Sequence, residues 1–390
     1  MINPNVKQIS EPPIPEAISW SDNYNGKFGK IIDMSQAVPS YPPHSELLKN
    51  FKHFASDNAL LSYGNIEGEK ILRKNYSDHL NKKYDAKTDF EQILITSGCN
   101  QAFISSIICL AESGDEIMIS DPGYFSHKLT LDMLNIKSNF FNLKKRKNFE
   151  IDLKDLEEKI NPKVRAIVVV SPGNPTGSIQ NTNILNELFE LCIYYNKFLI
   201  IDETYRDFIY PKKTAPHELF SFKNWNKHLI QLYSFSKSLC IPGHRLGAIT
   251  ADKSIINEIS KVMDNMQICA PRPAQYAVAH YLPKIDKFIN KKSSDIAEKA
   301  LLFTKLLSTC PEWEIASIGT FFVYVKHPFE NLECDKVSQI LAKELGIITI
   351  PGKYFGRNQE KFIRMSIAGL TKDEIIEVPK RMVNLQNIDV

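Results

Sequence analysis

The sequence predicts an α/β fold: a large domain built on a mostly parallel, seven-stranded sheet between helices, followed by a smaller α+β domain. Three observations carry this. Seven short apolar runs, at residues 93–96, 116–120, 138–143, 166–170, 198–201, 229–233 and 246–250, alternate with longer amphipathic stretches. Several of these runs are rich in Ile and Val and apolar on both sides, as strands are when helices cover both faces. After about Leu282 the character changes to a long charged helical stretch and further strand-like runs.

In chain order, the first residues, to about Gly29, are polar, and Pro12, Pro13 and Pro15 forbid a continuous helix there. They read as an arm, and residues 31–41 are expected to join the smaller domain. Between the apolar runs lie helix-like stretches such as 183–196, with Ile184, Leu185, Leu188, Leu191 and Cys192 at helical spacing. The smaller domain is expected to hold a helix over 285–307, strands near 321–325, 347–350 and 362–366, and a closing helix over 372–385. The expected division is residues 1–48 for the arm and part of the small domain, 49–283 for the large domain and 284–390 for the small one.

Composition narrows the function classes. A chain of 390 residues with 43% hydrophobic content buries a large core. Charge is nearly balanced, with 48 Lys and Arg against 45 Asp and Glu. The densest basic run, Lys144 to Lys147, reads as a solvated turn, so no nucleic-acid partner is expected. The seven cysteines are scattered without a Cys-x-x-Cys pair, which argues against a disulfide framework and a zinc site. Neither a signal peptide nor a membrane span is recognisable, so a cytoplasmic protein with free thiols is expected.

Ligands of parallel α/β sheets bind at the carboxyl ends of the strands. After residues 93–96 comes Ser97-Gly98-Cys99-Asn100-Gln101, a glycine turn opening a helix and thus a candidate anion site, though many α/β turns look alike. After 166–170 comes Ser171-Pro172-Gly173-Asn174-Pro175-Thr176-Gly177, a rigid loop projecting one amide; its bland reading is a capping turn. After 198–201 comes Asp202-Glu203-Thr204-Tyr205. A buried acid needs a cation, such as a protonated pyridinium, or else serves as a helix cap. After 229–233 comes Ser234-Phe235-Ser236-Lys237, and then Pro242-Gly243-His244-Arg245-Leu246-Gly247. Two serines and an arginine suit a phosphate dianion. A desolvated lysine near other cations is a usable amine nucleophile, whereas a lone lysine is ordinarily a surface residue.

These motifs, in this order, resemble the class I/II aminotransferases, the fold-type I enzymes of pyridoxal 5'-phosphate (PLP) related to aspartate aminotransferase. Phe362-Ile363-Arg364-Met365-Ser366 matches as well, and the likeness runs from about Ile31 to Leu385. The resemblance implies that the large domain binds PLP and that Lys237 holds the cofactor as an imine and shuttles a proton. It implies that Asp202 keeps the ring nitrogen protonated and that Tyr205 and Asn174 bond the ring's phenolate oxygen. Tyr124 would stack on the ring, with an ordinary core aromatic as the alternative. Gly98, Cys99, Asn100, Ser234, Ser236 and Arg245 would cup the phosphate. Arg364, with Asn174 and the main chain at Ala37, would take the substrate carboxylate. Tyr63 would reach the neighbouring subunit's phosphate, which implies a homodimer with shared active sites.

The sequence departs from the family at Ala37, where glycine is common, and at His244, where leucine is commoner. Residues 266–270 carry no arginine where dicarboxylate-specific relatives have one, and Arg272 close by reads equally as a pocket residue or a surface one. His127, a lone histidine, reads as structural. The implied reaction is transfer of the α-amino group of an L-amino acid to a 2-oxo acid. The alternative keeps the cofactor and changes the reaction: β- or γ-elimination, or cyclisation as in aminocyclopropane-carboxylate-synthase relatives. An effector-sensing regulator would need an added DNA-binding domain, and a nucleotide-binding oxidoreductase a Gly-x-Gly-x-x-Gly after a strand; neither feature is recognisable.

Overall fold

The apolar runs become strands because their side chains have a core on either side. The computed structural model describes residues 2–211 and 215–387. Its larger sheet contains β1 (Ile93–Thr96), β2 (Glu116–Asp121), β3 (Lys137–Lys144), β4 (Glu150–Ile151), β5 (Val164–Val170), β6 (Phe198–Asp202), β7 (Leu229–Ser234) and β8 (Gly247–Thr250). The spatial order is β1-β8-β7-β6-β5-β2-β3-β4. Pairing is parallel from β3 through β2, β5 and β6 to β7, and antiparallel where β8 lies between β7 and β1. The seven expected strands are present, and the sheet has an eighth. The two-residue β4 pairs antiparallel with β3 at the edge, too short to give a periodic signal.

Alternation along each strand feeds two cores. Ile167, Val169, Leu199 and Ile201 pack on one face with Leu72, Tyr76, Leu185, Leu188 and Val278 from covering helices. Ala166, Val168 and Ile200 pack on the other with Phe103, Ile107, Leu131, Ile256 and Met263.

The smaller sheet comprises β9 (Glu314–Gly319), β10 (Phe322–Lys326), β11 (Ile350–Pro351) and β12 (Phe362–Ser366), antiparallel in the order β9-β10-β12-β11. Helices Ile285–Leu307, Cys334–Leu345 and Lys372–Met382 bury Phe303, Val337, Leu341, Ile375 and Val378 against it. β9 has no counterpart in the sequence reading, because it is half-exposed and its register shifts between Ile315 and Ser317. The strand expected over 347–350 divides: Ile347–Ile348 pairs in parallel with Ile32–Asp33, and Ile350–Pro351 joins the smaller sheet. Residues 32–33 thus lie beside the smaller sheet's elements, as expected for the segment 31–41.

The prolines of the first residues break that segment into two short helices, Pro4–Gln8 and Pro13–Ser19. A proline occupies the first turn of each, where no hydrogen bond is lost. The second helix is docked: Ala17 is buried with Phe125, Ile348, Ile350 and Phe355. Because β1, β5, β6 and β7 run in one direction, their carboxyl ends share one edge, and β12 of the smaller sheet faces it through Arg364.

Candidate active site

Asp202 ends β6 with its side chain buried. Burial alone would raise its pKa. Hydrogen bonds from Thr204 N (3.0 Å) and Thr204 Oγ1 (2.7 Å), and His127 Nε2 at 3.4 Å, more than offset this and hold it below the usual carboxylate range. The group is therefore an anion in a dry place, a partner for a buried cation. The Cys99 thiol lies 3.6 Å from the same carboxylate, its pKa pushed well up by burial and by Asp202. The sequence alone suggests a structural histidine at 127. It stands instead in the helix Phe125–Met133, stacked on Phe103 at 4.0 Å and edge-on to Tyr124 at 5.2 Å.

β7 delivers Lys237 on the four-residue helix Phe235–Ser238. Burial lowers its pKa to about 8, helped by the Arg245 and Arg364 guanidinium groups. Roughly a tenth of it is thus the free, nucleophilic amine at pH 7, far more than for an ordinary lysine. Tyr41 Oη donates to the Lys237 carbonyl at 3.4 Å.

The anion cup forms where β1 turns into the helix Cys99–Leu110. Gly98 caps that helix with φ +89°. The positive φ favours glycine, and a Cβ there would displace the Arg245 guanidinium from its place over the turn. Arg245 crosses the turn, its Nη1 donating to the Pro242 carbonyl (3.0 Å) and its Nη2 to the Ser97 carbonyl (3.3 Å). The hydroxyls of Ser97 and Ser236 are buried without a hydrogen-bond partner, and Ser234 is buried beside them. Unpaired buried hydroxyls are costly. Ser236 lines the same cavity as Ser234, Asn100 in the first turn of the helix Cys99–Leu110, and Arg245, a donor set that suits a phosphate monoester.

Arg364 is 2% exposed on β12. Its Nη1 donates to Asn174 Oδ1 at 3.2 Å, its Nη2 to the Ser35 carbonyl, and its Nε is without a partner. The guanidinium packs over Phe322 at 5.0 Å and Phe355 at 5.2 Å. Burial lowers its pKa to about 10, while Tyr205, Tyr124 and Asp33 pull the other way. A buried cation with an unpartnered donor can receive a carboxylate. Asn174 is fixed because its loop ends at Gly177, φ +69°, pressed backbone to backbone against Gly319. Tyr205 is buried edge-on to Phe321 (5.2 Å) and Phe322 (5.1 Å), and burial pushes its phenol pKa well up.

These groups line one cavity of about 200 Å³: Cys99, Asn100, Tyr124, Asn174, Asp202, Tyr205, Ser234, Ser236, Lys237, Arg245, Arg364 and Ala37. Gly98 lies behind its wall. Sequence reasoning missed Ile14, Val38, Phe125 and Thr204, which also line it. Thr204 stood inside a quoted motif, and its signal was a hydroxyl two residues after a buried acid. Tyr63 is not brought in; it is 77% exposed on its own chain. Arg272 is neither pocket-lining nor free. It pairs with Glu69 (Nε–Oε1, 2.6 Å) and donates to the Ala59 and Ser62 carbonyls, bracing the segment that presents Tyr63. His244 stacks on Phe51 at 3.7 Å. A second cavity of about 350 Å³, lined by His79, Lys83, Arg206 and Asp207 among others, holds none of the expected site residues.

Residues 29–381 match the family model described as aminotransferase class I and II. The aspartate aminotransferase of Sulfolobus acidocaldarius is 27% identical over 370 residues, 92% of this chain and 90% of that one. The aromatic aminotransferase ISS1 of Arabidopsis thaliana is 25% identical over 358 residues, 90% of this chain and 88% of that one. Among solved structures, a double mutant of the Thermus thermophilus aspartate aminotransferase superposes with a TM-score of 0.90 at 16% identity, covering 99% of both chains, a likeness of fold.

Proposed function

The chain belongs to the class I and II aminotransferases and moves amino groups between an amino acid and a 2-oxo acid, and we propose that it does so with PLP held by Lys237. The observation that carries this reading is the convergence of Lys237, Asp202 and Arg364 on one small cavity. Two donors without partners on residues that line the cavity, Ser236 Oγ and Arg364 Nε, suit a phosphate and the carboxylate of a substrate.

On this reading Lys237 Nζ would hold the cofactor as an imine and Asp202 would keep its ring nitrogen protonated. Tyr205 and Asn174 would bond its phenolate oxygen, and Tyr124 would cover the ring. Gly98, Cys99, Asn100, Ser234, Ser236 and Arg245 take its phosphate. Bound, the cofactor supplies an electron sink for the charge left at Cα when its proton departs. Lys237 Nζ would move that proton. Arg364 grips the α-carboxylate of an L-amino acid, with Asn174 and the main chain at Ala37 holding its orientation. Ile14 and Phe125 contribute apolar wall that limits water.

The reading includes a homodimer in which the partner's Tyr63 completes the phosphate site. Its support is a phenol and the nearby Leu61, 77% and 76% exposed, on a segment that Arg272 holds rigid. We divide the chain into an arm and part of the small domain (1–48), a PLP-binding domain (49–283) and the rest of the small domain (284–390), and place it in the cytoplasm, where its seven free cysteines stay reduced.

The test is the absorption spectrum of wild type and Lys237→Ala with PLP, followed by a panel of L-amino acids. A visible band present only in the wild type is expected. It should convert to the pyridoxamine phosphate band with amino acid and return with a 2-oxo acid. Identical featureless spectra would sink the assignment of Lys237. A band that never converts, with 2-oxo acid formed without any acceptor, would favour elimination.

A further inference from the structure

The helix that carries Lys237 has four residues, too few to be held by its own hydrogen bonds. Tertiary contacts must place it. Behind it lies Asp207, fully buried. Asp207 Oδ2 accepts from Tyr233 Oη at 2.6 Å and from Ser238 Oγ at 2.7 Å, and the two hydroxyls are 3.0 Å apart. Tyr233 stands just before the helix and Ser238 is its last residue, so one oxygen grips both ends of the segment bearing Lys237. The other oxygen, Oδ1, faces Lys83 Nζ at 2.5 Å and Arg206 Nε at 4.0 Å. Asp207 itself sits in the tight turn 206–208, two residues after Tyr205.

We propose that Asp207 is a positioning residue for the transfer reaction: its carboxylate ties the Tyr205 turn to the Lys237 helix and so fixes the phenol and the amine relative to each other across the cavity. The proposal rests on the reading that Lys237 carries the cofactor. Its chemistry needs an ion. Charge-assisted bonds from two hydroxyls to one oxygen are about twice as strong as neutral ones. An amide in this place would keep one acceptor and turn donors toward Lys83. Burial opposes the charge, but Lys83, Arg206 and His79 around it hold Asp207 far below the usual carboxylate range. The carboxylate is therefore ionised near neutral pH.

The test uses holoenzyme carrying Ser238→Ala, Tyr233→Phe or Asp207→Asn. Asp207→Asn strips Lys83 of its counter-ion and is the least stable, so the hydroxyl variants keep the experiment decisive. Two properties that stability alone would not move are measured: the pH midpoint of the visible band, and kcat against KM. A third is read without cofactor, as the rate of reductive methylation of Lys237 in the apo-protein by mass spectrometry. We expect the midpoint to move by about half a pH unit or more, and kcat to fall on the order of 10-fold with KM within about 2-fold. The labelling rate should change in the same order of variants. Variants that lose melting temperature while midpoint, kcat and labelling match the wild type would overturn the proposal. If the wild type itself shows no band, the assignment of Lys237 to the cofactor fails, and the apo-protein labelling still decides whether Asp207 positions the amine.

Discussion

At the scale of single residues, the site is a set of ions whose charge states are set by neighbours. Lys237 is held near pKa 8 against 10.5 for a free lysine. Between those values the unfolded chain binds the proton and the folded one does not. Stability of the apo-protein from this group therefore rises as pH climbs from about 8 to 10.5, and the full penalty is present below 8. The effect is on the order of 3 kcal/mol over that window. Urea unfolding of apo wild type and of Lys237→Met should show it, the variant lacking that part of the slope. Arg364 tests a different property. Arg364→Lys keeps the charge but loses the planar fork that Asn174, Ser35 and an incoming carboxylate share. A drop of about 10- to 100-fold in kcat/KM, mostly in KM, is expected from steady-state assays with the best amino acid.

At the scale of elements, the strands bring the chemistry to one edge, and the turns after them decide where each group points. Gly177 shows how little freedom those turns have. Its φ is +69° and a Cβ would run into the Gly319 backbone, where neither chain segment can give. Gly177→Ala is expected to cost at least about 1–2 kcal/mol in stability, read by denaturant midpoint. It should also raise KM, because the loop it ends holds Asn174 against Arg364. Gly114, at φ +99° with nothing within 4 Å, is the control: Gly114→Ala meets the same backbone strain without the clash and should leave KM unchanged.

At the scale of the molecule, the cavity lies where two sheets meet. Asp202 and Lys237 come from the larger sheet and Arg364 from the smaller. The Asn174–Arg364 and Asp121–Arg357 contacts bridge the two. If Tyr63 completes a partner's site, Tyr63→Ala should weaken PLP binding by about 10-fold. Mixing it with Lys237→Ala chains should then restore one tight site in each hybrid dimer, since that site takes Lys237 from one variant and tyrosine from the other. Equilibrium dialysis of PLP on the refolded mixture reads this out, and a mixture no better than the average of its parents would sink the shared-site reading.

The sequence by itself determined the strand ends and the groups mounted on them. Local pattern suffices there: an apolar run fixes a strand, and the residues that follow it fix Asp202, Lys237 and the Gly98 turn. Arg364 was legible only through the resemblance of Phe362-Ile363-Arg364-Met365-Ser366 to the family, since it stands inside a strand and not after one. Pattern failed where burial is partial or partners are distant. β9 is half-exposed and irregular, and β4 is two residues long, so neither has a period. The docking of helix Pro13–Ser19 against Phe125 and Ile348 depends on contacts across more than 100 and 300 residues of chain. His127 looked like any lone histidine, because only the packed sheet edge sets it 3.4 Å from Asp202. The role of Asp207 lay equally out of reach: its neighbours in sequence show an acid beside an arginine, and only tertiary structure turns that acid, shielded from water, toward the two hydroxyls that frame Lys237.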